Sequence, residues 1–490
     1  MVAFRQAVSL CPRDANSLNN LGNALRELGQ LDEAIACLQS ALRFDPAHAR
    51  AYNNLGNALG DRGSLDEAVA CYRKAMQVAP DYARAHSNLL CTLQYCPGVS
   101  AAELLAAHVE YDRQQAARLA PNSLHPGRAP FSDRPLRLGF VSPDFGWHPV
   151  GHFLLSFLGY FDPQQCQTFL YSDRRAKDDI TERLERAAAH WRDVYDLGDD
   201  QLAAQIRADQ IDILLDLSGH TAGNRLLVFA RKPAPVQITW MGYVGTTGLS
   251  AMDYLIADRW EVPPEDEPHY REKVLRMPDG YLCYEPFATT PPVRELPALK
   301  KGHVTFGSFN NPVKINRCVV AVWAQIVRRV PGARLMLKYK GFDDRGTRDR
   351  LHRLFDEHGV ASHRLDLRGW SPHRELLQSY DEVDIALDPF PYSGGLTTCE
   401  ALWMGVPVVT APGDTFASRH SLSHLSNVGL TETLAPDRDH YVEVAIGLTR
   451  QLEKLATSRR ELREQMSKSP LCNGRRFALN LLKLLRGVAV

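Results

Sequence analysis

The sequence predicts a short stack of helical hairpins followed by two α/β lobes, each a parallel sheet covered by helices. Three observations carry this. A 34-residue self-similarity runs through the first hundred residues. From Leu136, short apolar runs alternate with helical stretches, the texture of strands joined by helical crossovers. A second series of the same texture follows the Pro-rich segment PFATTPPVRELPALKKG. At 490 residues the chain exceeds one core and fits about three units.

The repeats come first. SLNNLGNALRELGQLDEAIACLQSALRFDP begins at Ser17 and AYNNLGNALGDRGSLDEAVACYRKAMQVAP at Ala51. Leu21 matches Leu55, Gly22 Gly56, Ala34 Ala68, Ala41 Ala75 and Pro46 Pro80. A third unit opens at Ala85 with AHSNLL, while Phe4, Ala7 and Pro12 fit the second half of a preceding unit. Period and small residues resemble tetratricopeptide repeats over residues 1–95. On that reading Gly22 and Ala34 let paired helices approach, and Pro46 ends the second one. Met1 falls within a repeat, so the chain reads as truncated or as a stack that leans on the next domain. Asn20, Asn54 and Asn88 recur on the first helix of each unit. Two readings stand: each amide bonds the neighbouring repeat, or the column is a ladder that grips an extended acceptor backbone, since an amide both donates and accepts.

Residues 96–133 read as a linker, with the helical stretch AAELLAAHVEYDRQQAARLA and the Pro-rich exit PNSLHPGRAPFSDRP. In residues 134–286, LRLGFVS, TFLYS, IDILLDL, VQITWMGY and YLIA read as strands of a first lobe. Residues 287–302 form a second linker. In residues 303–440, HVTFGSF, RLMLKY, RLDLRG, VDIALDP and VPVVTAP read as strands of a second lobe. The tail 441–490 is expected to be helical and to pack back across a lobe. Two such lobes in tandem place a ligand cleft between their strand carboxyl ends.

Composition narrows the class. Lys plus Arg and Asp plus Glu are each 57, so the formal charge is zero and no basic excess points to nucleic acid. No apolar run reaches membrane-spanning length, and Arg5 interrupts a weak N-terminal apolar stretch. The ten cysteines are dispersed without a CxxC pair, which points to free thiols and a cytoplasmic location. A GxGxxG after the first strand and a GxxxxGK[ST] are both missing, which weakens dehydrogenase and NTPase readings.

Four strand-to-loop transitions carry polar chemistry. VSPDFGWHPVGHF brings Asp144, His148 and His152 together; a histidine there serves as a base or a substrate ligand, or else caps the next helix. DLSGHTAGNR places His220 beside Gly219, and Gly-Thr-Thr-Gly at 245–248 is a polar turn that either lines the cleft or is structural. GSFNNPVKINR sets Asn310, Asn311 and Lys314 on one loop, where a lysine before a helix suits a diphosphate. DPFPYSGGLTTCEALWMGVPVVT opens a helix with Ser393, Gly394, Gly395, Thr397 and Thr398, whose N–H groups and hydroxyls suit phosphate, with Glu400 placed toward ribose hydroxyls.

DFGWHP, RKPAPVQITWMGYVGTTG, SFNNPVKI, DPFPYSGGLTTCEALWMGVPVVT and PGDTFASR, in this order behind the repeats, resemble the protein O-GlcNAc transferase family, including its SPINDLY-like branch. The resemblance implies a GT-B fold and an inverting, metal-independent transfer from a nucleotide sugar to Ser or Thr of proteins held along the repeats. It implies no cofactor, no nucleic acid and no membrane partner. By motif it gives His148 to the acceptor hydroxyl, Lys314 to the donor diphosphate, Asn311 to the nucleotide and His373 to the base. Gly394, Gly395, Thr397 and Thr398 fall to the phosphates, and Glu400 to the ribose. UDP-GlcNAc is the first donor expected. The family commonly carries NGHTT where this chain has SGGLTTCE, which leans toward the SPINDLY-like branch and GDP-fucose as the alternative. A non-catalytic repeat adaptor is the reading from another class. No DxD motif offers itself for a metal: Asp173 is followed by two arginines, and the pairs at 178–179, 199–200 and 343–344 lie in polar helix or turn contexts.

Overall fold

The computed structural model describes residues 1–120 and 134–488. The Pro-rich exit of the first linker lies outside them.

Six helices form the repeat stack: Val2–Leu10, Ala15–Glu27, Leu31–Phe44, Ala49–Arg62, Leu65–Val78 and Ala83–Leu93. Small residues set the approach within each hairpin. A Cβ on Gly22 would lie 2.6 Å from the Leu38 side chain, and one on Gly56 2.6 Å from Tyr72. Ala34 and Ala68 are fully buried at the matching positions. The helix Ala101–Tyr111 follows, closed by a capping box of Ser100 and Glu103. It is packed into the first lobe: His108 Nε2 meets the Tyr243 hydroxyl at 2.7 Å, and a Cβ on Gly248 would lie 2.3 Å from the His108 backbone. The helix in the segment that reads as a linker is therefore a wall of that lobe.

The first lobe is a seven-stranded parallel sheet of β1 (Leu136–Ser142), β2 (Cys166–Ser172), β3 (His190–Asp193), β4 (Ile213–Asp216), β5 (Val236–Thr239), β6 (Tyr254–Ala257) and β7 (Lys273–Arg276), in the order β3-β2-β1-β4-β5-β6-β7. The second is a five-stranded sheet of β8 (Thr305–Ser308), β9 (Arg334–Lys338), β10 (Leu365–Arg368), β11 (Ile385–Leu387) and β12 (Val408–Val409), in the order β10-β9-β8-β11-β12. In each lobe the strand order reverses beside the first strand. Ligands of doubly wound sheets bind at this switch point, beyond the strand carboxyl ends. All four polar loops leave from strands there: β1 and β4 in the first lobe, β8 and β11 in the second.

The tail is helical, with helices Arg438–Thr449, Leu452–Lys468 and Gly474–Arg486. The last returns to the first lobe. Phe477 packs on Phe157 at 5.0 Å and stacks near-parallel on Trp240, and Arg476 grips Asp279 with two bonds of 2.7 and 2.8 Å.

Candidate active site

The loop after β8 builds the lysine. Asn311 Oδ1 accepts from the Val313 N–H at 3.1 Å and caps the short turn Pro312–Lys314. The turn aims Lys314 across to the loop after β11, where Nζ donates to the Ser393 carbonyl at 2.7 Å. Nζ also lies 4.1 Å from the centre of the Tyr392 ring. Asn310, not Asn311, ties the two loops: its Oδ1 accepts from Lys314 Nζ at 3.4 Å and from the Thr397 hydroxyl at 3.1 Å. Which of two adjacent amides faces inward depends on the turn, which residue types alone do not fix; the resemblance singles out Asn311.

The loop after β11 is organised by a buried carboxylate that the sequence reading treated only as a strand end. Asp388 accepts the Gly394 N–H at 2.6 Å and the Thr410 hydroxyl at 2.7 Å. Burial raises its pKa and lowers that of Lys314, and each of the two opposes the shift of the other by its charge. Several expected phosphate donors are thus committed elsewhere, the Ser393 N–H on the Ala417 carbonyl among them. Besides the Gly394 N–H, the Thr398 N–H bonds the Gly395 carbonyl at 3.1 Å. The Thr398 hydroxyl is held by the Gly394 carbonyl at 3.1 Å and Ser421 at 2.8 Å. The N–H groups of Gly395, Leu396 and Thr397 have no backbone partner among the described residues, as the start of the helix Leu396–Trp403 requires. Nothing lies within 4 Å of a Cβ built on Gly395, so this side of the turn is open to a ligand.

His373 and Glu400 meet. Nε2 of the half-buried histidine is 2.7 Å from Oε1 of the buried carboxylate. An aromatic series continues from His373 to Phe287 at 4.1 Å and on to Trp147, which stacks on Phe287 with planes 2° apart at 5.6 Å. Trp147 also bonds Asp179 through its indole N–H. The series joins a first-lobe loop to a second-lobe helix through the interlobe segment.

His148 is the N-cap of the helix Pro149–Leu158, its Nδ1 accepting from the Val150 N–H at 3.4 Å. Asp144 stands 3.7 Å from Nδ1. Burial lowers the His148 pKa, with Asp144 opposing, so the ring is neutral near pH 7 with its proton on Nε2. His152 is buried in the aromatic series and burial lowers it to about 4.

Other polar loops are structural. His220 is fully buried between the Ser87 hydroxyl at 3.1 Å and the Thr247 carbonyl at 2.9 Å. Thr246 and Thr247 clasp the buried Glu272. The buried Gly-Thr-Thr-Gly turn is therefore spent on bonds inside the first lobe, while His220 ties that lobe to Ser87 of the repeats. The Asn column is engaged inside the stack as well. Asn54 Nδ2 donates to Asn19 at 2.9 Å, Asn88 Nδ2 to Asn53 at 2.8 Å, and Asn19 Nδ2 to Asn20 at 3.3 Å. Asn54→Ala and Asn88→Ala should each lower the stability of the stack by about 0.5–1.5 kcal/mol, measured by urea unfolding; unchanged midpoints would leave these bonds without energetic weight.

Among the described residues no group of three or more His, Cys, Asp or Glu side chains is placed to hold a metal, no helix is long and apolar enough to cross a membrane, and all ten cysteines are free.

Comparison with known proteins adds the family. The model described as glycosyl transferase family 41 matches residues 107–286 and 285–481. Tetratricopeptide repeat models match residues 3–36, 22–61 and 49–82. A tomato protein named probable UDP-N-acetylglucosamine–peptide N-acetylglucosaminyltransferase SPINDLY is 39% identical over 391 residues, 79% of this chain and 42% of its own length. The Arabidopsis protein of the same name is 40% identical over 73% of this chain and 40% of its own. An Arabidopsis relative named SEC is 30% identical over 71% of this chain and 36% of its own. The chain thus spans about two fifths of the length of the curated relatives it matches. The solved structure of a mutant O-GlcNAc transferase from Thermobaculum terrenum superposes with a TM-score of 0.95 at 36% identity, covering 99% of this chain and 93% of that one. Repeats, paired lobes and matched sequence agree: the chain belongs to glycosyl transferase family 41, as a SPINDLY-like protein with tetratricopeptide repeats ahead of a GT-B region.

Proposed function

We propose that this protein transfers a sugar from a nucleotide sugar to Ser or Thr hydroxyls of protein acceptors, with UDP-GlcNAc as donor and inversion at the anomeric carbon. The observation that carries the reading is the meeting of Lys314 with an open helix start at the switch point of the second lobe. In a direct displacement the acceptor oxygen attacks C1 on the face opposite the nucleotide, the diphosphate leaves with the bonding pair, and the hydroxyl proton passes to solvent water. Its growing charge falls to the Lys314 ammonium and the N–H groups of Gly395, Leu396 and Thr397, fixed before reaction and so free of reorganisation cost. The His373–Glu400 pair receives the nucleoside. With Nδ1 engaged as a cap acceptor, His148 offers its Nε2–H as a donor that orients an oxygen, a role distinct from that of general base. The repeats present the acceptor, and the names of the SPINDLY relatives support both UDP-GlcNAc and a peptide acceptor.

The test is mass spectrometry of acceptor peptides after incubation with UDP-GlcNAc or GDP-fucose, each with and without EDTA. A GlcNAc mass gain that persists in EDTA is expected. Fucose transfer alone would replace the donor, manganese-dependent transfer would contradict the charge assignment, and nucleotide binding without any transfer would leave an adaptor.

A further inference from the structure

The repeat module reaches the donor site through a ring contact. Tyr95 follows the helix Ala83–Leu93, and its ring stacks on Tyr392 with centres 4.6 Å apart and planes 18° apart. Tyr392 is the residue whose face carries the Lys314 ammonium at 4.1 Å, and it directly precedes Ser393, whose carbonyl accepts from the same ammonium. The ring and the lysine's hydrogen-bond acceptor are thus neighbours on one loop. Burial raises both phenols above their ordinary range, so neither becomes an anion that would compete with a diphosphate for Lys314. The helix Ala49–Arg62 of the second repeat also touches the Pro312–Lys314 turn, so the repeats border both loops that hold the lysine.

We propose that Tyr95 is a positioning residue of the donor site: by stacking on Tyr392 it fixes the ring under Lys314, so that the repeat module sets the aim of the lysine toward the diphosphate. The proposal rests on the reading of Lys314 as the diphosphate ligand. A lysine ammonium gains from a fixed, desolvated aromatic face, and a stacked partner restricts that face. Removal of the partner lets Tyr392 turn and the ammonium wander, which costs the interaction made with the second phosphate and leaves contacts to the nucleoside in place.

Tyr95→Leu keeps an apolar filling and removes the stack, whereas Tyr95→Phe keeps the ring. Calorimetric titration of the full chain with UDP and UMP, alongside initial rates, separates positioning from general loosening; GDP and GMP replace them if the guanine nucleotide is the one bound. In Tyr95→Leu, UDP should bind about 5–30-fold more weakly, the scale of one cation–π contact, with UMP within about twofold of wild type on the same reasoning. The kcat should fall while the acceptor KM holds, and Tyr95→Phe should restore both UDP affinity and kcat. A folded Tyr95→Leu with wild-type UDP affinity and kcat overturns the proposal, as does equal weakening of UDP and UMP, or a change confined to acceptor KM. If Tyr95→Leu does not fold, Tyr95→Met is read by the same criteria. A wild-type chain that binds UDP but transfers no sugar sinks the transferase reading, and the comparison of UDP with UMP still decides the role of Tyr95. Failure to bind either diphosphate overturns both.

Discussion

Lys314→Ala should lower turnover by about 2–4 powers of ten, the scale of losing one preorganised charge contact to the transition state. The fold should survive, because the side chain bridges two loops at the cleft and is not packed in a core. Lys314→Arg should not rescue it. The slot between the Ser393 carbonyl and the Tyr392 face fits a compact ammonium, and a planar guanidinium has other geometry. The pH dependence carries a second signature. Burial moves the Lys314 pKa down from its ordinary value, which is about 10.4. The protonated form is the active one, so kcat/KM should fall as pH rises through a limb below about 10.4, and Lys314→Ala should lack that limb. On the acid side, burial raises Asp388. Its protonation weakens the hold on the Gly394 N–H, so activity should also fade as pH drops through this raised value. Full activity in Lys314→Ala would remove the lysine from the mechanism.

The largest effect on stability is expected from Arg459→Ala. Arg459 is fully buried, and its guanidinium donates to the carbonyls of Arg294 at 2.9 Å, Val383 at 2.7 Å and Tyr380 at 2.9 Å. Asp384 and Asp381 are its neighbouring charges, and Asp384 is itself fully buried. The truncation leaves three carbonyls short of a donor and removes one of the two cations, Arg459 and Lys301, whose charge favours the Asp384 carboxylate. The cost should be about 3–5 kcal/mol, read as a lowered urea midpoint. A loss under about 1 kcal/mol would mean that water replaces the guanidinium at little cost.

Legibility in the sequence followed burial. The central strands β1, β4 and β8 are buried along almost their whole length and stand out as apolar runs. The edge strands β3 and β7 do not. His190–Asp193 and Lys273–Arg276 are half-exposed, so no apolar run marks them as strands. The same logic applies to the site. Lys314 sits on a turn and Thr397 and Glu400 at the start of a helix, each within a local motif that marks it. Asn310 and Asp388 act through partners on another loop, and Tyr95 acts on a ring in another module. Contacts of that kind are made by the tertiary fold, and no periodicity encodes them. The Asn column shows the converse, since a regular spacing announced the residues but not the bonds that engage them.

The chain crosses between the lobes twice, once through the segment near Phe287 and again where the helix Gly474–Arg486 returns to pack on Phe157 and Trp240. One crossing alone would leave the lobes joined like beads on a string; the second closes a ring through both, and buried bonds from Ser423 to Asp258 and between Tyr281 and His420 fasten the rims between the crossings. The two rims of the cleft are thus tied to each other at several points and held in register.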